Sequence, residues 1–367
     1  MATAAIGVVI LIIVLKVRKK HRYESEKRLH KIIEKDLNNY LISSTENEGL
    51  KWKSVHHYQL NEIKAKLENN FLKGIFIGHL ISLRKNLYGE FDELLEDLYE
   101  LLGLHELSIK KANSRTMASV VRGIHELSQF EYKSGYHHVL QHLGHSSQIV
   151  RQETQVALLN LSAGSPLFFL KTSWKDLSGW HILSLHHTLL RTGLAHRVQY
   201  DYWLRNPNWE VRAFIIDMCV FFRLVAHMDN IRAHLFSNEY QVQAAVLRAV
   251  TEMGDDRDAP GVYKFLVNTD RQDLKILSIN ALAKVGGPDE VEGLLTLLET
   301  DHSDTLLATV MAIEEISGNA DELVRKSYDL QSHIHLATAL AHIKEPLNNS
   351  CCGHLFFLFD FGPHFLL

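Results

Sequence analysis

Two His-Glu pairs, His105-Glu106 and His125-Glu126, are the residues of this chain best suited to metal chemistry. An imidazole beside a carboxylate offers the nitrogen and oxygen donors that zinc and iron sites use. Such pairs build a site only when the elements carrying them aim at one point, and these two lie only 20 residues apart with no further pair to join them. A second group is His137, His138, His142 and His145. His138 and His142 stand four apart, a spacing that places two ligands on one helix face, and they are the candidate metal residues. No Glu follows His138 in the H-E-x-x-H sense and no Cys is near, so a solvated helix end accounts for the group as well. The chain has 23 histidines in all, and His181, His186, His187, His333 and His335 read as polar or amphipathic helix positions. So many near-neutral imidazoles make the surface charge responsive to pH.

Other chemistry finds less support. No G-x-G-x-x-G, P-loop or G-x-S-x-G motif occurs, so no phosphate cradle or nucleophile elbow is signalled. Cys219, Cys351 and Cys352 fit neither a disulfide framework nor a C-x-x-C pair, which points to a reducing compartment. A net charge of −4 argues against nucleic acid, which asks for a strongly basic surface. No catalytic residue and no cofactor is assigned. The aromatic group Trp203, Trp209, Phe214, Phe221 and Phe222 recurs at helical spacing. Core packing is its default; Trp203 and Trp209 are the candidates for an exposed strip against a protein partner.

The elements that would carry these residues begin with residues 1–17, uncharged up to Lys16 and followed by Arg18, Lys19, Lys20 and Arg22. Seventeen residues lie at the lower limit of the roughly 17–25 that span a bilayer core. A cleaved signal peptide has its charges before the apolar run and a small-residue site after it; here the charges follow the run and no such site appears. The segment reads as a single transmembrane anchor, with a buried helix as the other alternative, and the basic run places the bulk of the chain in the cytoplasm. Residues 18–49 read as a charged juxtamembrane helix, with Leu29, Ile32, Ile33, Leu37, Tyr40 and Leu41 at three-four spacing, ending in the polar linker Ser43 to Gly49.

The body shows an internal repeat. Segments of polar loop, a Val-Arg-like pair and an apolar run recur at Val150-Arg151, Val211-Arg212, Val242-Gln243, Leu274-Lys275 and Leu306-Leu307. The key positions 150, 211, 242, 274 and 306 are separated by 61, 31, 32 and 32 residues. The first interval is close to two periods, so a degenerate unit is expected near Trp180. Eight residues past each key position stand Leu158, Cys219, Val250, Leu282 and Glu314, and Glu314 breaks the pattern, leaving the last unit imperfect or slipped by one. An earlier unit fits Ser114 to Phe130. Gly254-Asp255-Asp256 and Gly286-Gly287-Pro288-Asp289 signal turns, after which second helices run Ala259 to Leu266 and Glu290 to Leu298. Residues 50–111 read as an N-terminal helical cap and 112–345 as the repeat array. Residues 346–367, with Leu355-Phe356-Phe357-Leu358-Phe359, form an atypical apolar tail out of phase with the repeat, equally a frame-shifted end or a cap.

This D/N-x-x-V-R-like pattern, followed by an apolar helix, a Gly-rich turn and a second helix, resembles HEAT repeats. The anchor, Leu72-Lys73-Gly74, Ser82-Leu83-Arg84-Lys85-Asn86-Leu87 and Gly123-Ile124-His125-Glu126-Leu127 are similar to uncharacterised bacterial membrane-anchored HEAT proteins. The resemblance implies an all-α, right-handed HEAT-like α-α solenoid of about six to eight helix pairs behind one transmembrane helix. It also implies that Arg151 and Arg212 tie the repeats together. HEAT-type deoxyhypusine hydroxylases bring His-Glu pairs together in phase with the repeat, which the pairs here are not. The expected function is a membrane-tethered scaffold at the cytoplasmic side of a bacterial inner membrane, binding a protein partner on its concave face. A membrane-associated biosynthetic enzyme is the partner class the resemblance suggests. A metal-dependent enzyme on a HEAT frame is the alternative, and a nucleic-acid module a more distant one.

Overall fold

A computed structural model describes residues 16, 57–67, 69–86, 90–161, 164–172, 174–299, 302–330 and 333–344. Among these residues every regular element is helical and none is a strand. The sequence expectations for residues 1–17, 18–49 and 346–367 lie outside the described residues. Among the described residues no helix is long and apolar enough to cross a membrane.

The chain divides into two compact units, Met1–Ala163 and Gly164–Leu367. In the first, α1 (His57–Lys66), α2 (Asn70–Asn86) and α3 (Glu90–Leu101) precede α4 (Leu104–Ala112), α5 (Met117–Gln129), the single turn α6 (Tyr136–Leu140) and α7 (Gln148–Leu161). Phe76, Ile77, Leu80, Leu95, Leu98, Tyr99 and Phe130 form its first core. Arg84 is nearly buried and draws α2 to α3 through Glu96, 2.6 Å away, and Asp92 at 3.3 Å. The expected boundary at residue 112 falls between α4 and α5, which pack on each other closely. Gly123 is what allows that approach, because a Cβ there would meet the backbone nitrogen of Ala112 at 2.2 Å. α5 then packs on α7.

The second unit contains α8 (Gly179–Arg191), α9 (Tyr200–Leu204), α10 (Trp209–Phe221), α11 (Met228–Arg232), α12 (Tyr240–Met253), α13 (Ala259–Asn268), α14 (Gln272–Val285), α15 (Pro288–Thr296), α16 (Ser303–Ser317), α17 (Ala320–Ser327) and α18 (Ile334–Lys344). The long helices α10, α12, α14 and α16 pack each on the next, with shorter helices between. Local chemistry sets their ends. The Asn208 side chain accepts from the backbone nitrogens of Glu210 and Val211 and starts α10. Asp255 and Asp258 form a reciprocal box before α13, and Pro288 fills the first position of α15. Gly318, at φ 69°, ends α16 in the left-handed region where glycine carries no steric cost.

One register runs through both units. Counting from residues 119, 150, 181, 211, 242, 274 and 305, the side chains four, five, seven and eight positions on are buried in every case. The intervals are 30 to 32 residues, and α8 stands where the degenerate unit near Trp180 was expected. The last unit slips by one: Thr305, not Leu306, is in register, so Ile313 takes the buried place and Glu314 instead accepts from the Ala320 nitrogen at 2.8 Å. Three polar residues in this register bond their own helix. Thr154, Ser278 and Thr309, each four past the start, donate to the carbonyls of Val150, Leu274 and Thr305 at 2.7 to 2.8 Å.

Candidate interaction surface

The expected repeat residues occupy core and loop. Val150, Val211, Val242, Leu274 and Leu306 are all buried. Arg151 donates from Nη1 to the carbonyls of His145 and Ser146 at 2.6 and 3.0 Å. Arg212 repeats the arrangement on Asn206 and Pro207 at 2.8 and 3.0 Å, and its Nη2 reaches Glu239 at 3.0 Å. Gln243 makes the corresponding bond to Ser237 at 2.6 Å. A planar donor fork suits loop carbonyls left over before a helix start, so these side chains brace the inter-helix loops.

The metal candidates do not converge. α6 ends at Leu140, and residues 141–144 are turn, so His138 and His142 do not share a helix face. His138 Nδ1 instead faces the Asn113 amide at 3.2 Å. Burial, with His145 nearby, lowers the basicity of His142. The His-Glu pairs split apart. His125 sits 2.9 Å from Glu153, while Glu126 turns into the core, where Lys111 reaches both its oxygens at 2.6 and 2.8 Å and Ser108 donates at 2.7 Å. His105 stacks on Tyr132 at 4.8 Å, and Glu106 is exposed. Among the described residues no group of three or more His, Cys, Asp or Glu is placed to hold a metal ion.

Three other polar groups are structural in geometry. His227 Nδ1 lies 2.7 Å from Asp201, which also accepts from Asn230 at 2.8 Å; burial opposes, but these bonds hold the Asp201 carboxyl below its usual range. The Cys219 thiol is fully buried, and burial with the Asp201 charge pushes it up to about 12. A thiol held so far from its thiolate is no nucleophile. His186 is 5% exposed and stacks between Phe214 and Phe221 at 5.7 and 4.6 Å. Its Nε2 has no hydrogen-bond partner, and burial, opposed by Asp217, lowers its pKa to about 4.

The aromatic expectation needs correction. Trp203 is 2% exposed and belongs to the core, because the short helix α9 turns Tyr200, Trp203 and Leu204 inward. Trp209 is half-buried at the start of α10. The exposed neighbour is Tyr202, 54% accessible with Lys171 5.9 Å from its ring centre. Phe236, 57% exposed, follows α11 and meets Phe265 of α13 edge-on at 5.8 Å, with Lys264 5.9 Å from its ring. Val267, 53% exposed, stands near the end of α13. Tyr202, Phe236 and Val267 thus put exposed apolar side chains in the second-helix segments of three successive pairs, with Val225, also 57% exposed, preceding α11. Strict three-four spacing would have found Val267, because Val262, Phe265 and Leu266 take the inward places of α13.

No protein-family model matches the sequence, and comparison with curated proteins gives no match. Two engineered proteins with crystal structures show a loose likeness. One is 17% identical, with 58% of this chain and 96% of that chain covered at a TM-score of 0.31. The other is 15% identical, with 78% and 89% covered at a TM-score of 0.38.

Proposed function

We propose that this chain is a membrane-tethered scaffold: a HEAT-like α-α solenoid that holds a protein partner along its second helices, on the concave side, at the cytoplasmic face of a membrane. The observation that carries this is the row Tyr202, Phe236 and Val267, exposed at 54%, 57% and 53% on successive helix pairs. Single exposed hydrophobes are ordinary, and it is the recurrence of these in three successive segments that supports a contact surface. Phe236 and Val267 stand one period of 31 residues apart, at the same place in successive units, and Tyr202 stands four residues earlier in its own unit; a series that advances with the units suits an extended partner. Lys171 and Lys264 flank the two rings and add charge selection to apolar contact. The tether is the apolar run of residues 1–17, with its cationic flank from Lys16 to Arg22. Tethering raises the effective concentration of a partner in the same membrane, and the resemblance to membrane-anchored HEAT proteins suggests a membrane-associated biosynthetic enzyme.

The test is affinity capture from a membrane extract with the full chain and with its Tyr202→Ser/Phe236→Ser variant, metal content being read on the same samples. A protein retained stoichiometrically by the parent and at least about tenfold less by the variant, as expected for loss of two buried aromatic anchors, supports the scaffold. Equal retention by both, or one iron or zinc per chain with no partner, overturns it.

A further inference from the structure

α8 carries a second exposed surface of different chemistry. Its inward side holds Ile182, Leu185, His186 and Leu189 in the core. On its outer side Trp180 is 77% and Leu190 60% exposed, with His187 exposed and Leu183 half-buried between them. Positions 180, 183, 187 and 190 advance by three, four and three residues and so share one face. Phe221 of α10, 41% exposed, packs its ring on His186 at 4.6 Å.

Charge distinguishes the segment that carries this face, although Asp217 of α10 also acts on His186. Residues 164–200 contain four Lys and Arg against one Asp, net +3, in a chain whose net charge is −4. An anionic surface is attracted to this segment despite the net negative charge of the chain, since exposed charges act only over about 8 Å in physiological salt. Lys175 sits in the turn that leads into α8, and Arg191 is its last residue.

We propose that this face of α8 rests on an anionic lipid bilayer, with Trp180 and Leu190 entering the headgroup boundary and Lys175 and Arg191 meeting lipid phosphates. Indole favours the boundary between water and acyl chain, where its ring is buried and its N–H stays hydrated. A helix with a narrow apolar face and cationic neighbours is the form that lies in that plane. The contact is small, so it orients a chain that is already held at the membrane, and in that respect it rests on the proposed tether. It does not depend on the protein partner, whose row lies on the second-helix segments.

The test places the full chain in lipid nanodiscs with brominated acyl chains, made of phosphatidylcholine alone or with about one-third phosphatidylglycerol. Tryptophan emission of the parent minus that of Trp180→Phe isolates Trp180. In anionic discs the Trp180 emission is expected to shift to the blue and to be quenched at least about twofold, and about 0.5 M salt or Lys175→Gln/Arg191→Gln is expected to relieve the quenching. Solvent-like, unquenched emission in both lipids overturns the inference, as does protection of Trp180 only when an acidic protein is added, which would assign the face to a protein. Failure of the chain to enter the discs sinks the tether instead. The same emission is then read with the chain held by an added His tag on nickel-chelating anionic vesicles with brominated acyl chains, and absence of quenching there overturns the bilayer contact on its own.

Discussion

Glu126→Gln is the sharpest probe of how the first unit is held together. The Glu126 side chain is 5% and the Lys111 side chain 17% exposed, and the carboxylate takes Lys111 at 2.6 and 2.8 Å and Ser108 at 2.7 Å. Gln keeps the shape and one acceptor, but it removes the charge facing the ammonium and turns a second acceptor into a donor. Removing one partner of a buried ion pair costs about 3–5 kcal/mol. The residual exposure of Lys111 lets the ammonium recover some water, so the expected loss is about 2–4 kcal/mol. Two compact units make a single global unfolding transition the wrong readout. Amide hydrogen exchange resolved along the sequence is the better one, since local opening reports local stability. Protection across α4 and α5 should fall by about 30- to 1000-fold, because each 1.4 kcal/mol is a factor of ten, while α12 to α16 keep theirs. Glu126→Leu/Lys111→Met should recover most of the loss, since apolar replacement of a buried pair is often neutral or stabilising. Protection within about threefold of the parent in Glu126→Gln, or an equal loss in the double variant, would refute the reasoning.

Three further outcomes follow from single residues. His186 takes its proton near pH 4 when folded and near 6.5 when unfolded, so the unfolded chain binds more protons in between. Stability is full above about pH 6.5 and falls by on the order of 3 kcal/mol as pH drops to about 4, and His186→Phe should remove that share of the pH dependence of exchange protection in α8 and α10, after correction for the intrinsic exchange rate. Gly123→Ala puts a methyl 2.2 Å from the Ala112 nitrogen and 2.6 Å from the Ser108 oxygen, and should cost at least about 1–3 kcal/mol by overpacking, read as lost exchange protection in α4 and α5. Cys219, its thiol held near 12 and fully buried, should resist iodoacetamide at pH 8 in the folded chain and react in urea, with the site read by peptide mass spectrometry.

The helical class and the period near 31 residues were legible because burial on a stacked helix repeats with the helix. The last unit misled by one residue because Thr305, a polar residue, holds the in-register place that the neighbouring Leu306 advertises. Thr154 and Thr309 are likewise invisible as core residues, since their hydroxyls are satisfied by carbonyls on their own helices. Glu126 looked like half of a metal pair, and only the packing of α4 on α5 reveals Lys111 opposite it. The His138–His142 spacing presumed a helix that stops at Leu140. Trp203 and Tyr202 are adjacent in a five-residue helix, too short for periodicity to decide which one faces out.

The most direct measurement for the scaffold is site-specific photo-crosslinking in native membranes, with p-benzoylphenylalanine in place of Tyr202, of Phe236 and, as a control on the first-helix side, of the exposed Met311. One and the same protein adduct from positions 202 and 236, and none from 311, is the result a partner seated along the second helices predicts. No adduct from either position, or equal adducts from all three, would contradict it.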